Sequence, residues 1–286
     1  MTAGRFGLTI GEGEYQNSGF VESVSTPGGG QRDVQVDNSP VTVSTEKPLF
    51  FFSDAHIHTR TTRDEAEKQD ALVAFLRAIK AEAGGVFVVG DLFDFWFEYG
   101  AVVPRHGTRV MVALAELVDA GIPVICLGGN HDWWLGKALT EEYGVYVRRR
   151  PLWVRAQEKT LFVAHGDGLS GPDRYYRLVR AVLHNRISEA AFRVLHPSCG
   201  AVLANLASRT RSNREYCDTV QAQITPVFRA AIPEVFARGA SIAVFGHVHT
   251  VRLELVDNNV LVVLGDWINL RSYGELREGA FRIRTW

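Results

Sequence analysis

The sequence predicts an α/β fold built on a largely parallel sheet, and three features carry that reading. Five short apolar runs, Leu49 to Phe52, Val86 to Val89, Pro123 to Leu127, Leu161 to Ala164 and Ile242 to Phe245, lack the alternation of a half-exposed strand. Such runs read as strands buried on both faces. Segments with apolar residues at helical spacing separate the first three. Each run also delivers an Asp, Asn or His at its end, where open α/β sheets bind ligands.

Taken in order, Met1 to about Lys47 is rich in Gly, Ser, Thr and Val without sustained periodicity, and Gly28-Gly29-Gly30 reads as a hinge. It is expected to be a disordered extension, with the folded domain running from 48 to 286. After the first strand, Asp64 to Ala83 places Leu72, Phe75, Leu76 and Ile79 on one helical face and stops at Gly84-Gly85. After the second, Thr108 to Ala120 repeats the pattern with Val112, Leu114, Leu117 and Val118, and Gly121 ends it. Strand, helix, strand, helix, strand implies right-handed crossovers. Toward the end, Leu253 to Val256, Val260 to Leu264 and Phe281 to Arg284 read as shorter strands of a second sheet packed on the first.

Between the fourth and fifth runs the pattern changes. Asp173 to Leu195, Ala201 to Ser208 and Tyr216 to Arg238 read as amphipathic helices, so residues 170–238 form a helical insert. From Asp173 to Arg214 it carries eight arginines and no lysine, against Asp173 and Glu189. Arginine-only usage favours bidentate phosphate recognition over general solubility.

Composition narrows the function classes. The 286 residues carry 31 basic and 32 acidic side chains, so no global field argues for nucleic acid. Cys126, Cys199 and Cys217 have no paired spacing and read as reduced structural thiols. No apolar run approaches a membrane span and no secretory pattern opens the chain, which sets a cytoplasmic location as the expectation.

The polar side chains at the run ends form a ligand set. Asp54 and His56 stand two apart on an extended segment and can chelate one ion, and His247 and His249 repeat the spacing. Asp91, Asn130 and His165 bring the number to seven, too many for one ion unless one residue is shared. A bridging Asp91 resolves the count, with Asp54, His56, Asp91 and His249 around one ion and Asp91, Asn130, His165 and His247 around the other. Two ions about 3.5–4 Å apart suit phosphoryl chemistry, because they clamp attacking and leaving oxygens together. Oxygen and imidazole donors without thiolate favour Mn²⁺, with Fe²⁺ or Zn²⁺ as alternatives.

Asp54-Ala55-His56, Gly90-Asp91-Leu92-Phe93-Asp94, Gly129-Asn130-His131-Asp132, His165-Gly166-Asp167 and Gly246-His247-Val248-His249 resemble, in order and spacing, the five blocks of the calcineurin-like metallophosphoesterases. The resemblance implies a two-sheet αββα sandwich flanked by helices, with the insert as a lid. It also implies that Asp91 is the bridging ligand. The spacers Phe95-Trp96 and Trp133-Trp134-Leu135-Gly136, with Gly168-Leu169, Asp173 and Tyr176, further resemble the UDP-2,3-diacylglucosamine hydrolases of lipid A synthesis. That likeness implies a UDP-linked diacylated sugar as substrate, held by Asn130, His131, Asp173, Tyr176, Arg209, Arg211 and Ser212, at the cytoplasmic face of an inner membrane.

Two positions depart from those relatives. His131 stands where they have an arginine, and with Asp132 behind it reads as a general-acid or phosphate-contacting pair. His58 stands where they have glycine and reads as a surface histidine. Asp94 and Asp167 are expected behind the ligands or as turn caps. Trp96, Trp133 and Trp134 could floor a uridine or acyl pocket, with core packing as the default. Three competing readings are a phosphoesterase for another substrate, an amidohydrolase barrel opening on His56-Ile57-His58, and a binding module that kept the fold. The barrel needs about eight strand-helix units, which the insert leaves no room for.

Overall fold

The computed structural model describes residues 8–10, 23–24, 32–33, 41–60, 62–99, 102–167, 185–194 and 232–286. In chain order the strands are β1 (Leu8–Ile10), β2 (Ser23–Val24), β3 (Arg32–Asp33), β4 (Val41–Val43), β5 (Leu49–Phe52), β6 (Gly85–Val89), β7 (Val124–Leu127), β8 (Tyr146–Arg148), β9 (Leu152–Ala156), β10 (Lys159–Ala164), β11 (Ile242–Phe245), β12 (Val251–Val256), β13 (Asn259–Leu264), β14 (Ser272–Arg277) and β15 (Ala280–Thr285). The helices are α1 (Arg63–Ile79), α2 (Thr108–Asp119), α3 (Ala138–Tyr143), α4 (Arg186–Val194) and α5 (232–237).

Thirteen strands form a seven-stranded sheet in the order β1-β4-β9-β10-β11-β13-β12 and a six-stranded sheet in the order β15-β14-β5-β6-β7-β8, and β2 and β3 pair with each other alone. Strands β5 to β8 pair parallel, as do β10, β11 and β13, while hairpins make both sheets mixed. The unbroken apolar runs follow from this sandwich. Phe51 and Phe87 stack at 4.7 Å in the cluster between the sheets, while Phe50 and Phe52 turn to the other face, against Leu72, Phe75 and Leu76 of α1. A third cluster places Ile232, Val235 and Phe236 of α5 on Ala243, Phe245, Leu261 and Val263. The layers are therefore α, β, β, α, as the family resemblance implied.

Three sequence expectations are revised. The ordered body begins before Pro48, because Val41 and Val43 are buried in the inter-sheet cluster and β4 pairs parallel with β9. The ligand-bearing runs do not share one sheet: β5, β6 and β7 lie in one, β10 and β11 in the other. Phe281 to Arg284 returns to the first sheet as its edge. Helix α1 starts where the Thr62 side chain accepts from Glu65 N at 3.2 Å, a cap with acidic residues in the first turn.

Candidate metal centre

The parallel β5–β6 pairing continues beyond the strands. Asp54 N donates to Gly90 O (3.1 Å), His56 N to Asp91 O (2.9 Å), Ile57 N to Leu92 O (2.9 Å) and Asp94 N to Ile57 O (3.1 Å). This lacing fixes the loops that carry Asp54, His56 and Asp91. It also forces unusual backbone: Asp54, His56, Asp91, His247 and His249 all have positive φ, between 42° and 69°. Left-handed backbone is uncommon outside glycine and costs of order 1 kcal/mol or more per residue, and such residues gather at functional sites.

All seven predicted ligands converge. On one side, His249 Nε2 lies 3.3 Å and His56 Nε2 3.8 Å from Asp54 Oδ1, and His56 Nε2 lies 3.6 Å from Asp91 Oδ2. On the other, His165 Nε2 lies 3.3 Å from Asp91 Oδ2 and 3.2 Å from Asn130 Oδ1. Donor atoms of Asp91, His165 and His247 lie within 4.8 Å of one another. Asp91 Oδ2 thus faces both halves, while its Oδ1 accepts from His131 N at 2.9 Å.

The donor set fits divalent cations. His165 Nδ1 lies 3.0 Å from Val89 O, and a proton there leaves Nε2 a bare lone pair facing the acceptor oxygens of Asp91 and Asn130. Asp54 Oδ1 is buried without a hydrogen bond, and His56 and His249 bring two Nε2 atoms within 3.3 Å of each other. Converging acceptors of this kind are satisfied by a shared positive charge. The protonation pattern says the same. Burial lowers His165 and His249, yet Asp91 and Asp54 outweigh it and raise both, so each half of the site draws a positive charge. Burial, then the nearby His165 charge, pushes His247 down to about 4, leaving it neutral and able to ligate. Burial raises the Asp54 carboxyl, but His249 outweighs it and holds it at about 2.

The expected pairing of His131 with Asp132 is corrected. The Asp132 carboxylate is fully buried and accepts from Gly129 N at 2.7 Å and Phe93 N at 3.1 Å, pinning the β6 and β7 loops together. Asp94 takes the place behind the imidazole, with Oδ1 3.2 Å from His131 Nδ1. The same carboxylate meets His56 Nδ1 at 3.6 Å and His58 Nδ1 at 3.1 Å. His58 is half-exposed, as expected of a surface residue, but it braces Asp94.

Burial, then the Asp91 charge, raises Asp132 from 3.8 to about 7. In metal-free protein the folded state then keeps a proton that the unfolded chain has lost. This contribution to stability is present below about pH 4 and is lost as pH rises through 7. Chelator-treated wild type should therefore lose stability relative to Asp132→Asn between those limits, read as the difference in urea midpoints. A pH-independent difference would refute the raised carboxyl.

Two contributors escaped the sequence reading. Buried Asp266 lies with Oδ2 3.8 Å from His249 Nδ1, and its Oδ1 accepts from Asn269 N and Leu270 N. Its signal was present, since Leu264-Gly265-Asp266 repeats the apolar-Gly-Asp pattern of Val89-Gly90-Asp91. Lys68, 8 % exposed, donates to His56 O at 2.7 Å and pairs with buried Glu65 at 2.8 Å. No sequence pattern marks it. Lys68→Met should lower stability by about 3–5 kcal/mol, because it leaves Glu65 buried without its cation. Chemical denaturation reads that loss, and metal titration should show weaker binding through the loosened His56 loop.

Asp173, Tyr176, Arg209, Arg211 and Ser212 lie outside the described residues, as does most of 170–238; of the arginines counted there, Arg186 and Arg193 fall within α4. Trp96 is a core residue, packed on Phe93 at 4.3 Å with Nε1 donating to Glu98. Trp134 joins Phe95 and Phe97 around Phe192 of α4, the ring centroids of Trp134 and Phe192 being 5.1 Å apart. Cys126 is buried, and burial pushes its thiol pKa up, consistent with an inert structural role.

Comparison with known proteins agrees with this geometry. The family model for calcineurin-like phosphoesterases matches residues 47–251. A UDP-2,3-diacylglucosamine hydrolase of Porphyromonas gingivalis is 32% identical over 246 residues, covering 79% of this chain and 92% of the relative. Proteins of the same name from Neisseria meningitidis serogroup B and Pseudomonas fluorescens are each 28% identical, over 78% and 77% of this chain and 91% and 87% of theirs. With the family model spanning most of the sandwich and all seven converging side chains, the chain belongs to the calcineurin-like phosphoesterase family and is a hydrolase.

Proposed function

We propose that the protein hydrolyses the diphosphate of UDP-2,3-diacylglucosamine, giving UMP and 2,3-diacylglucosamine 1-phosphate. The observation that carries a two-ion reading is the position of Asp91, whose Oδ2 lies 3.6 Å from His56 and 3.3 Å from His165. Asp54, His56 and His249 complete one half around it, and Asn130, His165 and His247 the other. Two divalent ions, with Mn²⁺ the best match to oxygen and imidazole donors, supply Lewis-acid charge and water of lowered pKa when bound. The substrate assignment is supported by the names of the relatives and by the arginine-rich insert.

The chain's own residues divide the remaining tasks. His131, whose Nδ1 meets the Asp94 carboxylate, is placed beside His56 and Asp91 to contact a phosphoryl oxygen or the leaving group. Asp132 serves by holding the His131 loop against the Asp91 loop. Asp173, Tyr176, Arg209, Arg211 and Ser212 grip the nucleotide sugar, with Asn130 and His131 shared between the two tasks. On this reading the protein acts at the cytoplasmic face of an inner membrane. Among the described residues no helix is long and apolar enough to cross a membrane.

Incubation with Mn²⁺ and the UDP-diacyl sugar should release UMP. Failure to release UMP, together with free phosphate from simple monoesters, would move the assignment to another phosphoesterase substrate.

A further inference from the structure

The backbone lacing that fixes the site also sets two side chains outside the ligand set against each other. Ile57 and Phe93 form a parallel bridge, with Ile57 N donating to Leu92 O at 2.9 Å and Asp94 N to Ile57 O at 3.1 Å, so His58 of one loop stands beside Asp94 of the other. His58 N is held in turn by Glu65 Oε1 of α1 at 3.3 Å. The His58 ring is half-exposed, whereas the Asp94 carboxylate is buried, and His58 Nδ1 lies 3.1 Å from Asp94 Oδ2.

The other oxygen of that carboxylate faces the metal centre. Asp94 Oδ1 lies 3.6 Å from His56 Nδ1 and 3.2 Å from His131 Nδ1. His56 turns Nε2 toward Asp54 and Asp91, which leaves its Nδ1 to Asp94. A ligating histidine ordinarily gives its second N–H to a carboxylate, and this fixes both its tautomer and the angle of its ring. The torsion that turns an aspartate carboxylate is broad and nearly two-fold, so one engaged oxygen does not hold its plane. A second donor on Oδ2 does.

We propose that His58 is a positioning residue for the His56 half of the centre, acting through Asp94. It anchors Oδ2, keeps Oδ1 on His56 Nδ1 and so holds the His56 ring in the orientation that ligation needs. The inference rests on the two-ion reading above and not on the choice of substrate. Lys68 Nζ on His56 O at 2.7 Å and Glu65 on His58 N hold the loop by its backbone, so removing the His58 imidazole leaves the loop in place and frees only the carboxylate.

Titration of the chelator-treated full chain with Mn²⁺, followed by the electron paramagnetic resonance of the free ion, tests the proposal without substrate. His58→Ala should bind one of the two ions about tenfold more weakly, with a urea midpoint near wild type. His58→Asn, whose amide can donate where Nδ1 does, should recover most of the affinity. In an Asp94→Ala background the His58→Ala change should have no further effect, because residues that act through one group are not additive. Wild-type affinity in His58→Ala, or failure of His58→Asn to rescue, would overturn the proposal, as would a loss of equal size in the Asp94→Ala background. Wild type that takes up no Mn²⁺ would overturn the metal centre itself and this inference with it, so the two failures are told apart by the wild-type titration.

Discussion

Asp91→Ala abolishes turnover, by more than about 10³-fold, equivalent to over ~4 kcal/mol of barrier, and removes metal from both halves of the site together. The expectation rests on geometry. One oxygen of this carboxylate faces His56 at 3.6 Å and His165 at 3.3 Å, while the other accepts from His131 N at 2.9 Å. Asp54 and Asp132 are tied elsewhere, Asp54 Oδ2 accepting from His247 N and both oxygens of Asp132 accepting from backbone N–H groups. Elemental analysis alongside the UMP assay makes the test. Two retained metal equivalents, or activity above a tenth of wild type, would show that Asp91 is not shared.

Gly129→Ala is expected to be nearly as damaging, although it removes no ligand. A Cβ at this position would lie 2.1 Å from Asp91 Oδ1 and 2.6 Å from Asp91 N. Real contacts of that length do not occur, and the loop cannot retreat freely because Gly129 N is held by Asp132 Oδ1 at 2.7 Å. The Asp91 carboxylate must therefore turn, and a displacement near 1 Å in a catalytic group lowers rate by about 10²-fold. Gly128→Ala is the matched control, since a Cβ there meets its nearest atoms at 3.6 to 3.8 Å, ordinary van der Waals contact. Metal affinity and turnover should fall in the first variant and stay near wild type in the second. Equal damage from both would mean that general loop rigidity, rather than contact with Asp91, sets the effect.

Legibility in the sequence varied with distance along the chain. Strands β5, β6, β7 and β11 were readable because burial on both faces demands unbroken apolar runs. Strand β4 and the three-residue β8 carry too few residues to show a period, and pairing with distant partners is what holds them. Among the site residues, the seven that converge were all named, because each closes an apolar run or stands two residues from one that does. His131's partner was misassigned because the nearest carboxylate along the chain, Asp132, is turned inward by two backbone N–H groups. Asp94, thirty-seven positions away in sequence, reaches the ring only through the parallel β6–β7 pairing.

The sequence by itself determined which side chains lie at the carboxyl edge, since an apolar run can end only where polar groups regain water or a ligand. It also determined that oxygen and imidazole donors, rather than thiolates, are gathered there. Tertiary structure decided that β10 and β11 bring His165 and His247 from a second sheet, that Asp94 and not Asp132 backs His131, and that Gly129 rather than Gly128 lies against Asp91. Those choices depend on left-handed backbone at Asp54, His56, Asp91, His247 and His249. Asp and His enter that region more readily than most residues but do not require it, so the packing of the two sheets is what imposes it at these five positions.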